Sequence, residues 1–353
     1  MTTTVLLAGC GQGDSGGGRA TPTPTQPSVS APAEFIGYGR GKLERLGLTP
    51  TAPDASKSLI VGLGYSLSVD AFAVSPTLTP AMMLTDARAS SSPNGSITAG
   101  GRAVQAAAGH EFVVVQLGSG SLLPEYSLLK APDDKGSQEK LSVQIGGRRP
   151  VALGGPRVSE LLVVSAPVGA PVTVTAADGR PQSLDLRTGQ RINEVAGLYP
   201  TLPKRSATAG PSFSFRTPPF GINTRIAQVQ LTPAEYSLGW APVGQAWLVV
   251  PIAMTVANCG QGCDPESVVL DMAKSAQLDD GTRRYTARQR NGKVALHVLQ
   301  STVKTGTVWA VFQVPATFRR GTLRLGFNGS IRFTTGSTNQ LQAKAEEIPL
   351  ALS

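Results

Sequence analysis

Histidine is nearly absent from this chain, at two residues in 353, and cysteine occurs only three times. Aromatic residues make up 5% and charged residues 16% of the sequence. Ordinary domains carry about 25% charged residues, so this composition argues against coiled coils and long solvated helices. No run of roughly 18 apolar residues occurs, which excludes a membrane-spanning helix in the chain. The nearest approach, Trp247 to Ala257, is 11 residues long and contains Pro251. His110 borders an apolar run and His297 sits within one, so both read as structural histidines rather than proton shuttles. No Gly-x-Ser-x-Gly elbow is present. Glycine and proline are abundant, at 67 of 353 residues. A turn-rich, charge-poor chain favours many short strands, and its length allows two domains with separate cores.

The strands are legible from period. Leu67, Val69, Ala71 and Ala73 alternate with Ser66, Ser68 and Asp70, as in a half-buried strand. Phe112-Val113-Val114-Val115 is a short β-branched run that reads as a strand buried on both faces. Val172-Thr173-Val174-Thr175 and Leu184 to Leu186 flank Asp178-Gly179, a hairpin signal. The second half repeats this plan. Trp247 to Val256 matches Phe112 to Leu117, Val308 to Val314 matches Leu161 to Ala166, and Thr322 to Leu325 matches Val172 to Thr175. Pro200 to Pro219 holds five prolines and reads as an interdomain linker. Gly37-Tyr38-Gly39-Arg40-Gly41 reads as a flexible segment, because no strand signal precedes it and no Lys-Ser/Thr follows.

Cys10 ends Val5-Leu6-Leu7-Ala8-Gly9-Cys10, and its Leu-Ala-Gly-Cys resembles the lipobox of bacterial lipoproteins. That resemblance implies cleavage before Cys10 and lipid on its thiol. Of the next 23 residues, Gly11 to Ala33, 15 are Gly, Pro, Ser or Thr. Such a tether spans roughly 25 Å as a coil. Met1 to Gly9 holds neither a Lys nor an Arg. It is also shorter than a secretory signal with its roughly 7–15-residue apolar core. The expected translation start therefore lies upstream. Cys259 and Cys263 are separated by Gly-Gln-Gly, and a disulfide there would constrain the unfolded chain by about 2 kcal/mol. Free thiols and a zinc site are the rival readings; zinc would need two further ligands. No metal or other cofactor is expected.

The formal charge is +9. Arg148-Arg149, Arg283-Arg284 with Arg288 and Arg290, and Arg319-Arg320 lie near turns. Nucleic-acid binding would need interleaved aromatics, which are missing, so anionic lipids or wall polymers are the expected counterparts. The plain alternative is that these arginines only keep the surface soluble. Asp133-Asp134 and Asp279-Asp280 read as turns, not calcium loops. Ser137-Gln138-Glu139-Lys140 and Lys304-Thr305-Gly306 resemble motifs of penicillin-binding proteins and serine β-lactamases. The intervening Ser-Asp-Asn element is absent, and the two motifs fall in different halves.

Tether plus paired sandwiches resembles the exported lipoproteins of high-GC Gram-positive bacteria, actinobacteria in particular. Gly244 to Val250, Gln277 to Gly281 and Phe312-Gln313-Val314-Pro315 resemble immunoglobulin-like envelope modules over residues 224–353, and more weakly over 60–200. The resemblance implies an extracytoplasmic binding or scaffolding role with no assigned chemistry. The expected fold is all-β, with two tandem antiparallel immunoglobulin-like β-sandwiches after a disordered N-terminal tether. The expected segments are a truncated signal with lipobox at 1–10, a disordered tether and preamble at 11–56, sandwiches at 57–200 and 220–353, and a linker at 201–219. The expected function is a non-enzymatic envelope lipoprotein, lipid-anchored outside the cell membrane, with the 259–266 and 279–290 loops as binding surface. The rivals are a cell-wall hydrolase or acyl transferase, and a basic nucleic-acid-binding protein.

Overall fold

The computed structural model describes residues 28–79, 85–86, 102–118, 128–129, 140–153, 160–199, 204–216, 219–257, 264–290, 294–300 and 303–353. These are nearly all β, arranged in several mainly antiparallel sheets. Among the described residues no helix is long and apolar enough to cross a membrane. Strands of three or more residues in the N-terminal half are β1 (Ile36–Arg40), β2 (Leu59–Gly62), β3 (Tyr65–Ser75), β4 (His110–Gly118), β5 (Lys140–Ile145), β6 (Val151–Leu153), β7 (Glu160–Pro167), β8 (Val172–Ala177) and β9 (Gln182–Asp185). One sheet has the order β2-β3-β4-β7-β1 and the other β6-β5-β8-β9. Leu67, Val113, Val115 and Leu162 of the first pack against Leu141, Val143, Val174 and Leu184 of the second.

The opposite face of the first sheet is also covered. Phe112, Val114, Leu161 and Val163 pack against Phe35, Leu43, Leu46, Leu78 and Val104. Burial on both faces explains why Phe112 to Val115 is apolar without interruption. This cover corrects the disordered preamble expected up to residue 56. Residues 36–40 instead form β1 on the edge of β7, and Leu43–Leu46 forms a 3-10 turn beneath the sheet. Gly37-Tyr38-Gly39 is buried strand rather than a flexible segment. Its alternation is hidden in the sequence because every second position is glycine.

The C-terminal half contains β10 (Thr208–Arg216), β11 (Pro219–Ile226), β12 (Val229–Thr232), β13 (Gln245–Ala257), β14 (Pro265–Leu270), the single-turn α1 (Met272–Ser275), β15 (Ala276–Asp279), β16 (Arg284–Thr286), β17 (His297–Gln300), β18 (Val303–Pro315), β19 (Arg320–Phe333) and β20 (Thr338–Ala351). One sheet runs β10-β11-β13-β18-β17, with β12 sharing the β13 edge that β11 uses. The other runs β16-β15-β19-β20, with β14 sharing the β19 edge that β15 uses. Between them lies one core, including Leu248, Ile252, Phe312, Leu278, Leu323 and Ile331.

The linker expected at 201–219 is a second correction. Lys204–Arg205 pairs with β12, and β10 pairs with β11 along most of its length. Phe213 and Phe215 alternate with Ser212, Ser214 and Arg216, a strand pattern that the prolines masked. Pro211 is tolerated because β10 lies at the sheet edge and the register shifts between Ala209 and Ser212.

Among the described residues no sheet draws strands from both halves. The halves share one connectivity. The order β3-β4-β7 over β6-β5-β8-β9 recurs as β11-β13-β18 over β16-β15-β19-β20. The sequence matches noted above fall at corresponding places, on β4 and β13, β7 and β18, and β8 and β19.

Candidate functional site

Cys10, Cys259, Cys263 and Ser137 lie outside the described residues, as does the tether through residue 27. Lys304-Thr305-Gly306 is part of β18. Its Lys304 Nζ lies 2.5 Å from Asp264 Oδ1. The Lys304 hydrogen bond is the largest influence holding the Asp264 carboxyl below its usual range. His110 opens β4 with Nδ1 3.1 Å from Ala108 O, and His297 is exposed on β17. Among the described residues no group of three or more His, Cys, Asp or Glu side chains could hold a metal ion.

The four arginines named as binding candidates separate. The β15–β16 turn is built on Asp280, whose carboxylate accepts from Tyr285 O–H at 2.6 Å, Thr282 N–H at 2.8 Å, Thr282 O–H at 2.7 Å and Arg283 N–H at 2.7 Å. These bonds, Tyr285 first, hold the Asp280 carboxyl well below the ordinary carboxylate range. Arg284 Nε is tied to Asp279 Oδ2 at 3.1 Å, while Arg283 is exposed at the tip. The chain then crosses to the other sheet, where Arg288 pairs with Val311 of β18. Arg288 lies over the Trp247 ring at 5.3 Å and donates to Gln313 Oε1 at 3.1 Å. Arg290 lies over Trp309 at 4.7 Å, and its Nε is 2.6 Å from Oε1 of the fully buried Glu235. Arg290 is therefore committed to an internal ion pair.

Tyr285 makes the turn testable. Burial, with the Asp280 hydrogen bond second, pushes its hydroxyl up from 10.0 to about 12. In an ultraviolet titration one of the six tyrosines should ionise near pH 12, and Tyr285→Phe should remove that step. Because the folded value is raised, the stabilisation linked to this group is complete below pH 10 and lost as pH rises toward 12. A titration that Tyr285→Phe leaves unchanged near pH 12 would show that the turn does not protect Tyr285.

The loops expected to share a binding surface do not converge. Pro265 pairs with Phe333 and Asp279 with Thr322. These are 11 positions apart along β19, or about 36 Å of strand. β14 and β15 occupy the same edge at different heights, which carries one loop to each end. At the Asp279 end the register instead gathers other cations. Arg320 opens β19 opposite Ala351, Leu352 N–H donates to Arg319 O at 2.8 Å, and Lys204 N lies 3.3 Å from Ser353 O. Arg283, Arg319, Arg320 and Lys204 are all exposed there, with no acidic partner among the described residues.

Two arrangements escaped sequence reasoning. Each of the three tryptophans carries an arginine, Arg180 lying over Trp240 at 5.3 Å in addition to the pairs above. Arg180 also donates to Ala241 O at 2.5 Å, and Trp240 N–H to Asp178 O at 3.2 Å, so this pair joins the two halves. The other is an open cavity of about 520 Å³ on the β13–β18 sheet, lined in part by Thr255, Thr305, Thr307 and His297. Both depend on strand register between distant segments, which single-strand periodicity does not carry. Compared with known proteins, the chain matches no family model, no curated protein and no solved structure.

Proposed function

We propose that this chain is a non-enzymatic cell-envelope lipoprotein that binds anionic envelope polymers or lipid headgroups at the outer face of a membrane. The observation that carries this reading is the basic end of the C-terminal half. Arg283, Arg319-Arg320 and Lys204 come from three separate segments, yet β19 and its neighbours bring them to one end. Arginine can grip phosphate oxygens in a fork geometry, and uncompensated cations attract a polyanion over a Debye length, about 8 Å in physiological salt. Lipid on Cys10 would hold the protein beside such polymers, with the 11–27 segment as tether.

Each half is read as an immunoglobulin-like sandwich. The order β3-β4-β7 over β6-β5-β8-β9 corresponds to strands A-B-E over C′-C-F-G, and the C-terminal half follows the same order. In that scheme loops at the sandwich ends are the ordinary place for binding residues.

Fatty-acid labelling in the native host tests the anchor, using the locus with its upstream DNA. Label on the wild type and none on Cys10→Ala is the expected result. No label on either protein, with the wild type soluble in the cytosol, would remove the lipoprotein reading. Sedimentation with anionic and with neutral vesicles tests the basic end separately. Removal of Arg283, Arg319 and Arg320 together should abolish the preference for the anionic set.

A further inference from the structure

We infer that the cavity on the outer face of the C-terminal half is a binding site for a neutral saccharide unit. The inference is independent of the anchor and of the basic end, since it concerns different residues at the opposite end of the same strands.

Strand register builds the cavity. Thr255 of β13 pairs with Thr305 of β18, which pairs in turn with His297 of β17. Thr307 pairs with Ala253 one step along. Directly opposed residues present their side chains on the same face. That face points away from the core, because Met254, Val256, Val308 and Ala310 occupy the alternate positions within it. The chain crosses between sheets at the margin of this face. Ala295 pairs with Ser267 of β14, and His297, two residues later, with β18. Gly306, between Thr305 and Thr307, faces the core, and the crossing passes close to it on that side. A Cβ there would lie 2.9 Å from Val294 Cγ1, 3.0 Å from Leu296 Cδ2 and 3.2 Å from Ala295 O.

The lining selects the ligand. Its described members are Ala253 and Ala295 as small apolar surfaces, three threonine hydroxyls, one imidazole and Gly306, with Met254 and Val294, whose side chains belong to the core. Among the described residues it contains no Asp, Glu, Lys or Arg. Thr255, Thr305, Thr307 and His297 make no side-chain hydrogen bond to any described residue, so their polar atoms are available. Hydroxyls that both donate and accept, set among small apolar patches, complement a sugar ring with its alternating hydroxyl and C–H surfaces. The volume of about 520 Å³ lies in the range of small-ligand sites, about 300–1,000 Å³. An added peptide strand does not fit here. β13 is paired on both edges throughout 252–256, and β18 is paired on both edges at 304–305, so backbone groups of these strands are largely engaged. Arg225, opposite Ala253 on β11, stands outside the lining, which makes an acidic sugar the arm to exclude.

The test uses the full chain with three probes: maltotetraose, tetra-N-acetylchitotetraose and tetragalacturonate. Saturation-transfer NMR and titration should show at least one neutral probe binding. Thr305→Val with Thr307→Val, which keeps shape and strand propensity, should weaken it by at least about tenfold with the melting temperature unchanged. His297→Phe should weaken it in the same direction, and Arg283→Ala should leave it unaltered. Binding of the acidic probe alone, no binding of either neutral probe, or equal affinity in the double variant would each overturn the site.

Discussion

Replacing Gln182 with leucine should destabilise the protein by about 3 kcal/mol, because two buried polar groups lose their partner. For a domain of this size that lowers the melting midpoint by about 6–12 °C. Gln182 is fully buried, its amide N–H donating to Val61 O at 2.7 Å and its carbonyl accepting from the Tyr199 hydroxyl. It belongs to a larger arrangement along the free edge of β2. Arg191 donates to Leu59 O at 2.6 Å, Tyr199 Oη accepts from Val61 N–H at 3.0 Å, and Asp178 Oδ2 accepts from Leu63 N–H at 2.8 Å. Four side chains thus occupy the positions that another strand would use. Arg191 also lies over the Tyr199 ring at 3.8 Å, which orients both. Tyr199→Phe should have a comparable effect, since loss of the hydroxyl leaves Val61 N–H and the Gln182 carbonyl without that partner. A loss below about 1 kcal/mol in the Gln182 variant would mean that solvent replaces the amide freely, as at an exposed site.

Arg290→Ala should cost more, about 3–5 kcal/mol, because it strands a buried carboxylate. Glu235 is fully buried on the outer side of the β13–β18 sheet. Its Oε2 accepts from Ser237 N–H at 2.9 Å and Leu238 N–H at 3.1 Å, and among the described residues only Arg290 offsets its charge, at Oε1. Removing both charges, as Glu235→Gln with Arg290→Met, should recover much of the loss, since neither variant then buries an unpaired ion. Chemical denaturation of the single and double variants gives the coupling directly. Additive losses would show that the two side chains act separately. The same experiment distinguishes Arg290 from Arg283, whose replacement should leave stability within about 0.5 kcal/mol.

The strands that the sequence made legible carry either a strict apolar–polar alternation or an unbroken β-branched run. Ser66 to Val74 lies within β3, and Asp178-Gly179 turns the chain between β8 and β9. What was missed lay where glycine or proline stands at alternate positions. β1 hides behind Gly37 and Gly39, and β10 behind Pro211. The candidate site was less legible still. Arg283 and Arg290 are near in sequence, yet one ends at a turn tip and the other beneath a tryptophan. Thr255, Thr305 and His297 are far apart in sequence and become neighbours only once two strand registers are set. Register follows from which faces are buried, a property of pairs of strands rather than of any one of them.

The occupied edge of β2 has a consequence for crowding. A bare edge strand invites the same strand of a neighbouring molecule to pair with it and begin a fibre. At β2 and the residue after it, Leu59 O, Val61 N–H, Val61 O and Leu63 N–H, groups that would template such growth, already have side-chain partners. Copies concentrated side by side therefore meet no template there, and the chain can be displayed densely without polymerising through this edge.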